Sequence, residues 1–244
     1  ALGMYGLAPP LIAMPKCKEY AQMAIQLDPN ISNSYIALGF ANGFFDNDRY
    51  QAEKNFKHAL EIDPNNATGH YWYSFYLSII EHNLIAAEEQ GLLSILLEPH
   101  NAVAYHITSL AFISQRKFTE AIAHAKKAIE LDAALFLPYF ALGWCHIEMG
   151  KYKEAIEQFY NSLHISEKNN DTNRIATTYQ NIGNMHLAQG DDSEALLMFQ
   201  RALSIKEITD DYQHIIQLLN NIAVANKHLG KIDTALEYYI QCQE

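Results

Sequence analysis

The chain has 244 residues, 49% hydrophobic and 18% charged, enough apolar material to bury a core of globular size. Seventeen basic and 28 acidic side chains leave a net charge of −11, which argues against nucleic acid as a ligand of this segment, since phosphates need basic patches. No run of about 20 apolar residues occurs, so no membrane span is expected.

Residues 1–15 are apolar but lack a basic n-region and contain Pro9, Pro10 and Pro15, so they do not read as a signal peptide. A cytoplasmic location is expected. Cys17, Cys145 and Cys242 are odd in number and far apart. They fit neither a disulfide framework nor a metal site, and read as buried small residues in a reducing compartment.

In chain order, the elements form helix pairs. A partial first unit, residues 1–29, begins at Ala1-Leu2-Gly3, which looks like the middle of a helix, and stops at Leu27-Asp28-Pro29. The second unit, 32–64, carries Leu38-Gly39, an irregular turn at Arg49-Tyr50-Gln51, Ala52 and the stop Ile62-Asp63-Pro64. The third, 67–99, carries Ser74, Ala87 and Leu97-Glu98-Pro99; the fourth, 102–133, carries Ser109, Ala121 and Leu131-Asp132-Ala133, its proline lost. Proline cannot continue a helix and pushes its predecessor out of α geometry, so each triplet marks a stop. Asn30, Asn65 and Asn101 follow as turn residues.

The fifth unit, 136–168, reads Tyr139, Leu142-Gly143, His146, Gly150, Tyr152, Ala155, Phe159; the sixth, 176–208, reads Tyr179, Ile182-Gly183, His186, Gly190, Ala195, Phe199, Ala202. The seventh, 216–244, carries Ile222-Ala223, Gly230 and Ala235. The alanines from Ala52 to Ala235 are spaced by 35, 34, 34, 40 and 40 residues. Glycine inside a helix costs about 1 kcal/mol relative to alanine, so its recurrence points to close helix approach, with the recurrent alanine of the second helix as its counterpart. Gly150, Gly190 and Gly230 are expected to close the first helix of their units. The last helix runs to Glu244 on pattern, without a polar cap, so the chain is expected to be a fragment of a longer one.

These registers resemble the tetratricopeptide (TPR) repeat along the whole chain. The resemblance implies an all-α fold, a right-handed α-solenoid of antiparallel helix pairs forming a TPR superhelix. It implies a protein- or peptide-binding scaffold, not an enzyme, without cofactors. Departures are Ser94 and Ser162 in place of the usual alanine late in the second helix. A second resemblance rests on Gly6-Leu7-Ala8-Pro9-Pro10, Ala13-Met14-Pro15-Lys16 and Tyr71-Trp72-Tyr73: the chain looks like the repeat half of bacterial regulators that carry a winged-helix, cyclase or kinase effector upstream. It implies the alternative function, a sensory half acting on an intramolecular effector domain.

Helical geometry gives the first helix of each unit two apolar stripes. One faces its partner helix. The other, by the TPR resemblance, would line the concave groove: Ile36, Phe40 and Phe44, then Tyr71 and Phe75, then His106 and Leu110, then Phe140, Trp144 and Ile147. It turns amide-rich at Gln180 and Asn184 and ends with Asn220 and Lys227. Aromatic anchors grip apolar side chains and amides can bridge a peptide unit of an extended ligand. The same aromatics could instead pack between neighbouring helices, and Asn181, Asn184, Asn220 and Asn221 could bond helix to helix. Eleven histidines show no His-Glu-x-x-His or other ligand spacing, so no metal site is expected. Glu88-Glu89 and Asp191-Asp192 read as solvated faces and helix starts.

Overall fold

The computed structural model describes residues 10–208 and 212–242, which form thirteen helices and, among the described residues, no strand. In order they are α1 (Pro10–Leu27), α2 (Ser32–Phe44), α3 (Arg49–Ile62), α4 (Ala67–Ile79), α5 (Leu84–Leu97), α6 (Ala102–Ser114) and α7 (Phe118–Leu131). Then come α8 (Leu137–Glu148), α9 (Tyr152–Lys168), α10 (Thr172–Gln189), α11 (Asp192–Ile208), α12 (Tyr212–His228) and α13 (Ile232–Gln241). The all-α helical-repeat architecture is as expected from the sequence. The opening Ala1-Leu2-Gly3 lies outside the described residues.

The chain divides into two compact units, residues 1–133 and 134–244. In the first, α2 pairs with α3, α4 with α5 and α6 with α7, while α1 packs on α2. Its first-of-pair helices also meet directly, α4 lying against both α2 and α6. In the second unit α8 pairs with α9, α10 with α11 and α12 with α13, and successive pairs join through α9–α10 and α11–α12. There α8, α10 and α12 approach one another far less closely than α2, α4 and α6 do.

The alanines of the second helices, Ala52, Ala87, Ala121, Ala155, Ala195 and Ala235, are all buried. The glycines, however, meet a different partner from the one expected. A Cβ on Gly39 would sit 3.0 Å from the Phe56 ring, on Gly143 2.8 Å from Phe159, and on Gly183 2.6 Å from Phe199. The nearest neighbour of each glycine is thus the ring one turn beyond the alanine. Ala52 instead lies 3.3 Å from a Cβ position on Gly43. Where the ring is missing, as at Gly91 opposite Ser74, both partners are small: a Cβ on Gly91 would meet Ser74 Oγ at 3.1 Å.

Helix ends follow local chemistry. Asn66 accepts from Gly69 N at 2.9 Å and Asn101 from Val103 N and Ala104 N, capping α4 and α6; such caps contribute about 1 kcal/mol each. Asp28 and Asp63 accept from the amides of Asn30 and Asn65, closing the turns after α1 and α3. Helix α7 stops at Asp132 in extended geometry, φ −148°, although no proline follows. Of the three cysteines only Cys145 is buried, its thiol pushed up to about 11 by that burial; Cys17 and Cys242 are half-exposed, and all three are free thiols.

Candidate binding face

In the first unit the expected stripe is assembled but is largely taken up by helix packing. Phe40 stacks on Phe44 (4.7 Å between ring centres), Phe44 on Phe75 (5.0 Å), and Phe40 meets Trp72 edge-on (5.1 Å). These rings bind α2 to α4, and Leu110 packs against the same cluster from α6. Ile36, Tyr71 and His106 are buried, so their side chains belong to the floor rather than to an open surface. Trp72, outside the expected stripe, joins the array because α4 presents three consecutive aromatics, Tyr71, Trp72 and Tyr73, and two neighbouring positions share the inner side.

His106 is 3% exposed, and its Nδ1 has no hydrogen-bond partner. Burial holds its pKa down at about 3, so the imidazole is neutral. His70 behaves differently: Nδ1 lies 2.6 Å from Gln90 Oε1 and Nε2 2.9 Å from the Pro64 carbonyl, tying α4 to α5 as its helix-facing position implies.

Between α1, α2 and α4 the array leaves a cleft of about 190 Å³, lined by Ile36, Ala37, Phe40 and Trp72 with Cys17, Asn33 and Thr68. Asn33 Oδ1 accepts from Asn66 Nδ2 at 2.9 Å, which orients the Asn33 amide group.

In the second unit the wider separation of α8, α10 and α12 leaves more of the stripe open. Phe140 is half-buried, edge-on to Phe159 at 5.3 Å, and Ile147 packs beside it on the core around Ile182. Trp144 is 54% exposed. Gln180 and Asn184 are half-buried; Asn220 and Lys227 are exposed. One amide expectation is met: Asn221 Nδ2 donates to Asn184 Oδ1 at 3.3 Å, linking α12 to α10 across 37 residues. Sequence reasoning missed Arg174, whose guanidinium lies 3.3 Å from the centre of the Phe136 ring and 3.0 Å from Asp171 Oδ2. Its isolated position offered no periodic signal.

Charge is distributed unevenly. Helices α2, α4 and α6 contain no Asp, Glu, Lys or Arg, and α8, α10 and α12 hold only Glu148, Arg174 and Lys227. The other ionic groups among the described residues lie on α1, on the second helices and in turns. Glu88, expected to be simply solvated, accepts from Lys117 at 2.7 Å and Gln115 at 2.8 Å, joining α5 to the turn after α6. The Lys117 ammonium holds its carboxyl below the usual range. Asp192 likewise faces His228 at 2.9 Å. No grouping of three or more His, Cys, Asp or Glu suited to a metal occurs among the described residues.

Two family models, both described as tetratricopeptide repeat, match residues 135–208 and residues 102–135 and 216–244, together more than half of the chain. No curated protein matches by sequence. Among solved structures, the Cut9 and Hcn1 hetero-tetramer of the APC/C matches with a TM-score of 0.76 at 16% identity, over 94% of this chain and 43% of that one. This chain therefore spans less than half of that relative. PilW, a type IV pilus biogenesis factor, matches with a TM-score of 0.74 at 19% identity, over 87% and 92%. Pseudomonas aeruginosa pilF matches at 0.68 and 19% identity, over 86% and 90%. At these identities the likeness is one of fold.

Proposed function

The chain belongs to the tetratricopeptide repeat family, whose repeats generally mediate protein–protein interaction, and from that premise we propose that it is a non-catalytic scaffold binding a protein or peptide segment along its first-of-pair helices. The observation that carries this reading is the exposed Trp144 beside half-buried Phe140 and Ile147. A large indole held half in water on a helix whose neighbours are apolar is the side chain type that anchors interfaces. The half-buried amides of Gln180 and Asn184 and the exposed Asn220 extend the face with paired donors and acceptors.

Phe140 also supports the core through Phe159, so its truncation would confound binding with stability. Trp144→Ala is the cleaner probe. For peptides selected from a random library against this chain, the change should weaken binding by about 1–3 kcal/mol, as loss of an interface aromatic does. Helicity and melting temperature should stay at wild-type values. Unchanged affinity in the folded variant would contradict the assignment of this face.

A further inference from the structure

We infer that the cleft between α1, α2 and α4 accepts an uncharged stretch of protein chain that inserts one apolar side chain of leucine to phenylalanine size. The inference rests on the binding-face reading above and states the chemistry of its ligand.

Size comes first. The cleft measures about 190 Å³. An apolar cavity of about 150 Å³ stays dry and takes a benzene-sized guest, so one such side chain fits and two do not. Ile36 and Trp72 are buried and form the floor, with Ala37 and Phe40 beside them. Every one of these surfaces is apolar, and filling the cleft removes them from water.

Polarity is placed at the margin. Exposed Asn33 and half-buried Thr68 line the cleft beside its apolar floor. Asn33 Oδ1 already accepts from Asn66, so the amide NH₂ group is what Asn33 can offer a main-chain carbonyl of the ligand. This combination suits a peptide better than a free hydrocarbon.

Charge decides the class of peptide. Neither α2 nor α4 carries a carboxylate, lysine or arginine. On α1, Lys18 is already paired with Asp46, and exposed Lys16 and Glu19 are of opposite sign. A carboxylate, phosphate or ammonium entering the cleft would lose its hydration and find no counter-ion. The net charge of −11 lies elsewhere, so it affects approach and not the seat itself.

Panning a random peptide library against the whole chain tests this. The selected peptides should share one leucine, isoleucine, methionine or phenylalanine flanked by uncharged residues. Their affinity should change by less than about threefold between roughly 0.05 and 0.5 M NaCl, since no ion pair is screened. Filling the cleft from either side, by Ala37→Phe on α2 or Cys17→Phe on α1, should lower binding at least about tenfold in variants of unchanged circular dichroism. An acidic or basic consensus that loses affinity with salt, yet is blocked by both fillings, overturns the inference and leaves the binding face standing. Peptides indifferent both to the fillings and to Trp144→Ala overturn the two together.

Discussion

Gly183 and Phe199 show how one absent side chain sets the distance between two helices. A Cβ at Gly183 would lie 2.6 Å from the Phe199 ring, which is fully buried, so the ring or the helix must shift to admit it. Gly183→Ala should therefore destabilise the chain by about 1–3 kcal/mol through overpacking, although alanine is the better helix former by about 1 kcal/mol. Phe199→Leu in the same chain should restore part of that loss. Urea denaturation of the double-mutant cycle measures the coupling; strict additivity would mean that the ring is not what the glycine accommodates. His106 supplies a second residue-scale consequence. Its folded pKa, about 3, lies below the ordinary value of 6.5, so the unfolded chain binds the extra proton first. Its contribution is complete above about pH 6.5 and is lost as pH falls toward 3. Between pH 7 and 5 the loss attributable to this group is about 2 kcal/mol. His106→Leu should flatten the stability profile there by that amount, and an unchanged profile would show that the imidazole is reached by water.

At the scale of the element, the turns inside the helix pairs repeat one backbone device with different residues. Gly150, Gly190 and Gly230 take φ of 71°, 81° and 75°, as a helix-closing glycine should. The equivalent places in the first unit are Asn47, His82 and Arg116, at φ of 56°, 54° and 60°. The left-handed position was therefore legible only where glycine occupies it. Elsewhere the repeat of the backbone outlasts the repeat of the residue, because a left-handed non-glycine residue costs only about 1–2 kcal/mol. His82 is exposed and its side chain adds nothing to the core. His82→Gly should raise stability by about 0.5–1 kcal/mol, after the greater freedom of glycine in the unfolded chain is subtracted. Thermal melts would show it as a rise of a few degrees or less; a fall would mean that the histidine holds the turn by contacts of its own. Helix stops were read more fully. Asp132 ends α7 without the proline that marks its counterparts, since Asp63 and Asp132 adopt the same extended geometry with or without it.

Across the molecule, the division of labour between helices is the feature with functional content. The repeat, its two periods and the all-α class were readable from Ala52 to Ala235 because buried positions recur in register. Exposure along the candidate stripe was not, because it depends on how closely neighbouring first-of-pair helices approach. Where α2, α4 and α6 touch, Ile36, Tyr71 and His106 are buried and the aromatics stack on one another. Where α8, α10 and α12 stand further apart, Trp144 and Asn220 keep contact with solvent. The hydrogen bond that the Asn221 side-chain amide donates to Asn184 crosses that wider spacing. The near-absence of ionic groups from these helices was present in the residues but became meaningful only once their packing was known.

The two tryptophans of the chain, Trp72 and Trp144, lie on first-of-pair helices, one at the cleft and one on the open part of the stripe. Titration of the ¹⁵N-labelled chain with a library-selected peptide, followed by indole and backbone amide NMR signals, therefore reads both places at once. Either the Trp72 indole with the amides of α2 and α4, or the Trp144 indole with those of α8, is expected to shift saturably with a given peptide, while the amides of exposed second-helix residues such as Tyr50 and Lys54 stay in place. Saturable shifts confined to the second helices, with both indoles unmoved, would contradict it.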